Sequence, residues 1–145
     1  MTIEGLEQLK RHEGFRGKPY KCPAGKWTVG YGHNLENDGL TEEDILNVVV
    51  SKETAHNMLV RDVLEAEKYL KGIFPRWQYF SPRRQDALAN IMFNVGIGTF
   101  KQFRTVINGI NKEDWNYVAE RLEVYKWYRD VKLRAKEIVS MIRDG

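Results

Sequence analysis

The pattern of this chain changes character twice within its first third, and those changes set its fold class. Ile3, Leu6 and Leu9 recur at helical spacing, and Gly14 sits where a helix C-terminal cap belongs. A short helix over about residues 2–12 is therefore expected. From Phe15 to Leu35 the helical period gives way to aromatic and β-branched residues, four glycines, Pro19 and Pro23. Cys22-Pro23-Ala24-Gly25 has proline second and glycine fourth, the preference of a type I turn. A small β-hairpin follows, with Cys22 at the edge of its turn.

Helical signals then return and persist. Thr41-Glu42-Glu43-Asp44 is a capping box with Asp in the place of the usual Glu or Gln. Ser51 is the expected N-cap of a long helix to about Leu70, striped by Ala55, Met58, Leu59, Val63, Ala66 and Leu70 and ended by Pro75. Ser81-Pro82 starts another, with Ala87, Leu88, Ile91, Met92 and Val95 on its apolar side and a stop near Gly96-Ile97-Gly98. Shorter helices are expected over Thr99–Asn108, Lys112–Tyr125 and Leu133–Arg143. Trp27, Trp115 and Trp127 are read as core packing. The class is α+β and predominantly helical: one domain over 1–145, with a small β-containing lobe at 13–50, a connecting helix at 51–72, and a helical lobe from 1–12 with 73–145.

Charge and cysteine usage narrow the function. A net charge of +3 favours anionic partners only weakly. Lys10-Arg11 and Arg83-Arg84 read as solvated helix faces, since they lack the aromatic interleaving of a nucleic-acid groove. One cysteine forbids an internal disulfide. The first seven residues lack the basic and apolar regions of a signal peptide, and no hydrophobic stretch approaches the ~20 residues of a membrane span. No membrane insertion, no nucleic acid and a monomer are expected. His12-Glu13 fails the His-Glu-x-x-His zinc pattern at Arg16, so no metal is implied. Gly30-x-Gly32 fails the dinucleotide fingerprint at Leu35, and no cofactor is implied.

The residues that carry chemistry lie close together. Glu13 is followed by Cys22, Thr28 and Gly30-Tyr31-Gly32-His33. This spacing resembles the Glu…Asp…Thr signature of phage-type lysozymes, glycoside hydrolase family 24, with cysteine where most of that family carries aspartate. The likeness runs over nearly the whole chain. Asp86-Ala87-Leu88-Ala89-Asn90-Ile91-Met92-Phe93-Asn94-Val95-Gly96 is similar to the family's central helix, and Trp127-Tyr128 with Leu133-Arg134-Ala135-Lys136-Glu137 to its C-terminal segment. The resemblance implies a two-lobed fold and a peptidoglycan-cleaving enzyme acting between N-acetylmuramic acid and N-acetylglucosamine. It implies catalytic roles for Glu13, Cys22 and Thr28, substrate contacts at Gly32, Phe93 and Asn94, and support from His33 and from Arg134 as the cation paired with the glutamate. Without its own leader, such a product would remain in the infected cell's cytoplasm until another component exports it to the periplasm.

The residue types suit that chemistry. Glycosidic cleavage needs a proton donor and a second group that activates water or attacks the sugar. Glu13 ends a helix, where the dipole's negative pole disfavours the charged carboxylate and suits a donor. On a strand over residues 27–32, Trp27, Val29 and Tyr31 share a core-like face. Thr28, Gly30 and Gly32 share the other, where a hydroxyl beside two absent side chains leaves room for a ligand. A free thiol ionises near pH 8.5, and Lys21 and Lys26 beside Cys22 are expected to bring that down. The thiolate is then a base toward a water held by Thr28, or a nucleophile. His33 is read as structural. A lytic transglycosylase, which needs no external base, and a non-catalytic glycan-binding module with a decayed site are the rival readings.

Overall fold

The computed structural model describes residues 1–145, which cluster into two compact units: residues 7–64, and residues 1–6 with 65–145. Eight α-helices, two short 3-10 helices and one small sheet make up the regular structure.

Helix α1 (Ile3–Glu13) ends in the unit of residues 7–64, where it stops because Gly14 adopts a left-handed φ of 70° and donates its N–H to the Lys10 carbonyl at 2.8 Å. Strands β1 (Arg16–Lys21), β2 (Trp27–Gly30) and β3 (His33–Asn34) form an antiparallel sheet in that order. The turn joining β1 to β2 is the one the Cys-Pro-Ala-Gly run predicts: Gly25 N–H reaches the Cys22 carbonyl at 2.8 Å, and Cys22 N–H reaches Lys26 at 2.9 Å. Counting outward from that closure pairs Lys21 with Trp27 and Tyr20 with Thr28, before an irregularity between Tyr20 and Arg16. Helix α2 (Glu42–Leu46) carries the full capping box, Asp44 N–H donating to Thr41 Oγ1 and Thr41 N–H to Asp44 Oδ2.

Helix α3 (Lys52–Ile73) begins at Ser51, whose hydroxyl accepts the Thr54 N–H at 3.1 Å. Its Ala55, Leu59 and Val63 are buried, and Val29, Leu35 and Ile45 form the unit's small core with Trp27, Val48, Val50 and Met58 against it. The packing corrects one expectation. Gly30 does not leave room for a ligand: a Cβ there would stand 3.0 Å from the Ala55 Cβ, and φ is 68°. The missing side chain lets α3 close on β2.

The unit of residues 1–6 and 65–145 holds the main core, from the end of α3 through α4 (Pro82–Phe100), α5 (Arg104–Asn111), α6 (Trp115–Val124), α7 (Lys126–Val131) and α8 (Leu133–Asp144). Leu70, Phe74, Leu88, Ile91, Phe100 and Ile138 are fully enclosed, each contributing roughly 1.5–3 kcal/mol by leaving water. Phe74 meets Phe100 edge-on at 6.4 Å, and Trp115 meets Phe80 edge-on at 4.9 Å. Ser81 caps α4 as expected, accepting the Arg84 N–H. Asp86, inside that helix and buried, accepts both the N–H and the hydroxyl of Thr2, fastening the start of α1.

Helix α4 departs from expectation at its end. Gly96 breaks it, with φ 80° and ψ 164°, yet helical turns resume as far as Phe100. The helix expected over Thr99–Asn108 therefore starts only at Arg104. Helix α7 was not expected at all.

Candidate active site

Of the candidate residues of the smaller unit, Cys22 and Thr28 flank the β1–β2 turn. Glu13 is the last residue of α1 and half-buried. Cys22 opens the turn, partly exposed, and Thr28 on β2 is only 5% exposed. The hairpin register explains why Cys22 and Thr28 meet. Burial of the Cys22 side chain opposes ionisation, but backbone N–H groups of Lys26 and Ala24 and the Thr28 hydroxyl, all directed at the sulfur, outweigh it and lower the thiol's pKa. The charges of Lys21 and Lys26, to which the sequence pointed, are not among the causes.

Thr28 has one hydroxyl proton and two claimants for it. Its Oγ1 lies 2.9 Å from the Lys26 carbonyl, which takes the proton when Cys22 is a thiol. The same hydroxyl favours the thiolate form of Cys22.

Tyr20 belongs to this group, and the sequence reading missed it. Burial raises its pKa, as do the negative charges of Glu13 and Cys22, while Arg16 works the other way. Tyr20 therefore stands within electrostatic reach of both acids. The signal was available: counting back from the Cys22–Lys26 closure puts Tyr20 directly across from Thr28.

His33 is braced from two sides. Its Nδ1 is 2.7 Å from Asp62 Oδ2 on α3, and its Nε2 is 2.9 Å from Asp38 Oδ2. The Asp62 hydrogen bond raises the imidazole's pKa most; burial opposes, and the Asp38 bond and both carboxylate charges add to it, taking it to about 9. The ring is cationic at neutral pH, with both nitrogens donating. Gly32, just before it, has φ 75°, a conformation open to glycine.

The remaining candidates sit in the helical unit. Phe93 is half-buried on α4, and Asn94 beside it is exposed, its Oδ1 accepting the Trp127 indole N–H at 2.8 Å. Trp127, read from sequence as packing alone, is buried and also fixes that amide. Arg134, at the start of α8, donates Nε–H to Asn90 Oδ1 at 3.1 Å. Asn90 is 1% exposed; an amide set among Ala87, Leu88 and Ile91 was the sequence sign of a buried polar anchor. A concavity of about 360 Å³ in this unit is walled by Val95, Phe103, Tyr125 and Trp127. Its one acid, Asp130, lies 3.8 Å from Lys126. No helix is long and apolar enough to cross a membrane, and no group of three or more His, Cys, Asp or Glu residues is disposed to hold a metal ion.

With its mostly helical fold and small antiparallel sheet, and with a match to the family described as Phage lysozyme over residues 10–139, the chain belongs to that family. Among curated proteins it is similar to the pre-baseplate central spike protein Gp5 of Enterobacteria phage T4, 28% identical over 96% of this chain and 27% of that protein. The chain thus spans about a quarter of the spike protein's length. It is also similar to an endolysin of Acyrthosiphon pisum secondary endosymbiont phage 1, 32% identical over 88% of this chain and 79% of that protein. The endolysin of Salmonella phage P22 is 26% identical, over 87% and 83% respectively.

Proposed function

We propose that this protein is a glycoside hydrolase, a lysozyme that hydrolyses the β-1,4 bond between N-acetylmuramic acid and N-acetylglucosamine in peptidoglycan. The family membership and the endolysin relatives support the reaction class. The observation that carries the assignment of roles is the contact of Cys22 with Thr28 beside Tyr20, which senses Glu13 as well.

In this reading Glu13 protonates the leaving oxygen. Cys22, as thiolate, stands in for the family's usual aspartate as base or nucleophile, and Thr28 orients water with a lone pair. Gly32, Phe93 and Asn94 contact the glycan, His33 braces the sheet, and Arg134 supplies a supporting cation. The chain works as one lysozyme domain with the lobe division read from its sequence, as a monomer, on the wall-facing side of the membrane after export by another component.

The test is Glu13→Gln on isolated sacculi. The amide has no proton to give, so release of reducing ends should fall at least about 10²-fold, the low end for general acid catalysis. Parental turnover in that variant removes Glu13 from the mechanism. Mass spectrometry of the products from the parent should show reducing ends; anhydro ends would make it a lytic transglycosylase.

A further inference from the structure

Positive charge is concentrated in one small part of this chain. Between Lys10 and Lys26 stand six cations and a single acid, Glu13. That segment is strongly positive while the whole chain is only +3, so the remainder is net acidic. Arg16, Lys18, Lys21 and Lys26, on β1 and its turn, are all exposed. None of the four has a carboxylate partner. Elsewhere acids outnumber cations by 19 to 17, and some pair directly: Arg76 with Glu113, Lys126 with Asp130 and Arg143 with Glu123.

Two of the hairpin cations are also held in place. The Arg16 guanidinium lies 4.5 Å from the centre of the Tyr20 ring, and Lys21 Nζ lies 5.2 Å from that of Trp27. An aromatic face restrains a cation without neutralising it. The hairpin therefore presents preordered, uncompensated positive charge beside Cys22 and Thr28.

We propose that the β1–β2 hairpin is a carboxylate-binding surface, in which Arg16, Lys18, Lys21 and Lys26 attract and hold the acidic peptides borne by peptidoglycan strands. The proposal rests on the peptidoglycan reading above and names which part of that polymer the hairpin grips. The sugars of the strand are uncharged; the peptides on its muramic acid residues end in free carboxylates, and these are what a cationic surface next to the sugar-cleaving groups would meet. The surface suits other anions less well. A cation already lies over each of its Tyr20 and Trp27 rings, which reduces the platform for stacking bases. It exposes no large apolar side chain to enter a lipid surface.

The test compares the parent with Lys18→Gln/Lys21→Gln/Lys26→Gln on two substrates, intact sacculi and sacculi stripped of peptide charge by acetylating their amines and coupling their carboxylates to methylamine. On intact sacculi at low salt and limiting substrate, the triple variant should cleave about tenfold more slowly, the low end of an electrostatic steering gain. On stripped sacculi the two proteins should match, which separates this effect from any change at Cys22. Raising salt should slow the parent on intact sacculi toward the variant's rate, since about 0.3 M shortens the screening length well below its ~10 Å at 0.1 M. Equal losses on both substrates, or no loss on either, overturn the proposal. So does salt-dependent binding to vesicles of anionic phospholipid, or to single-stranded DNA, that the triple variant loses while intact and stripped sacculi are bound alike. If the parent cleaves neither substrate, the lysozyme reading fails by itself. Pelleting of the parent with intact against stripped sacculi still decides the hairpin's role, as it does should the variant not fold.

Discussion

Removing the charge from His33 should make the protein's stability lose a specific part of its pH dependence. The ring is 17% exposed and lies between Asp62 and Asp38, with a pKa of about 9 in the folded protein against an ordinary 6.5. At 1.36 kcal/mol per pH unit, that difference corresponds to roughly 3 kcal/mol favouring the folded state while the ring is charged. A raised pKa fixes the direction. The contribution is complete below about pH 6.5, where folded and unfolded rings are both protonated, and declines as pH rises to 9, where the folded ring loses its proton. Urea unfolding of the parent and of His33→Gln at pH 6 and at pH 10 measures it. The variant should be less stable by roughly 3 kcal/mol at pH 6, and the gap should all but close at pH 10. Comparing the two proteins at each pH removes the lysines, tyrosines and Cys22, which titrate in both. A gap of equal size at both pH values would refute the electrostatic account and leave packing as the ring's contribution. Ring titration by NMR provides a direct check, with His33 expected to move far later than an ordinary histidine.

Three further outcomes follow from particular contacts. Because the Cys22 thiol's pKa is lowered, activity of the parent should climb with pH to a midpoint below that of an ordinary cysteine; Cys22→Asp should stay active without that limb, Cys22→Ser should fall well below the parent, and a fully active serine variant would make the thiol a bystander. Gly30→Ala should cost about 1–3 kcal/mol in urea unfolding, from positive φ and the crowded Ala55; an unchanged midpoint would show that α3 shifts freely. Trp127→Phe keeps the packing but frees Asn94, so a loss of about 1 kcal/mol is expected together with a raised KM on sacculi; an unaltered KM would exclude Asn94 from glycan contact.

Local signals carried much of the fold. Ser51, Thr41 and Ser81 each cap the helix they announce, and the Cys-Pro-Ala-Gly run turns as its residues demand. These features are decided within four residues, which is why they can be read directly. The end of α4 was not decided locally. Gly96 and Gly98 signal a stop, but the buried Phe100 draws another turn onto the core, and the following helix moves to Arg104. Gly30 was misread for a similar reason, since its neighbour Ala55 is 25 residues distant and invisible to strand alternation. At the candidate site, Cys22 and Thr28 were legible from spacing. Tyr20 beside them, and the anchors Asp62 for His33 and Asn90 for Arg134, come from cross-strand register and tertiary contact.

Cys22 also gives the experimenter a counting device. It is the chain's single sulfhydryl, partly open to solvent and more acidic than usual. A chromogenic disulfide should therefore react once per folded molecule, and faster than with a denatured chain near neutral pH. On the proposed role of Cys22, plotting residual turnover against moles of thiol consumed would extrapolate to the number of working sites in a preparation. Rates could then be expressed per competent enzyme, with no inhibitor to synthesise and no residue to replace.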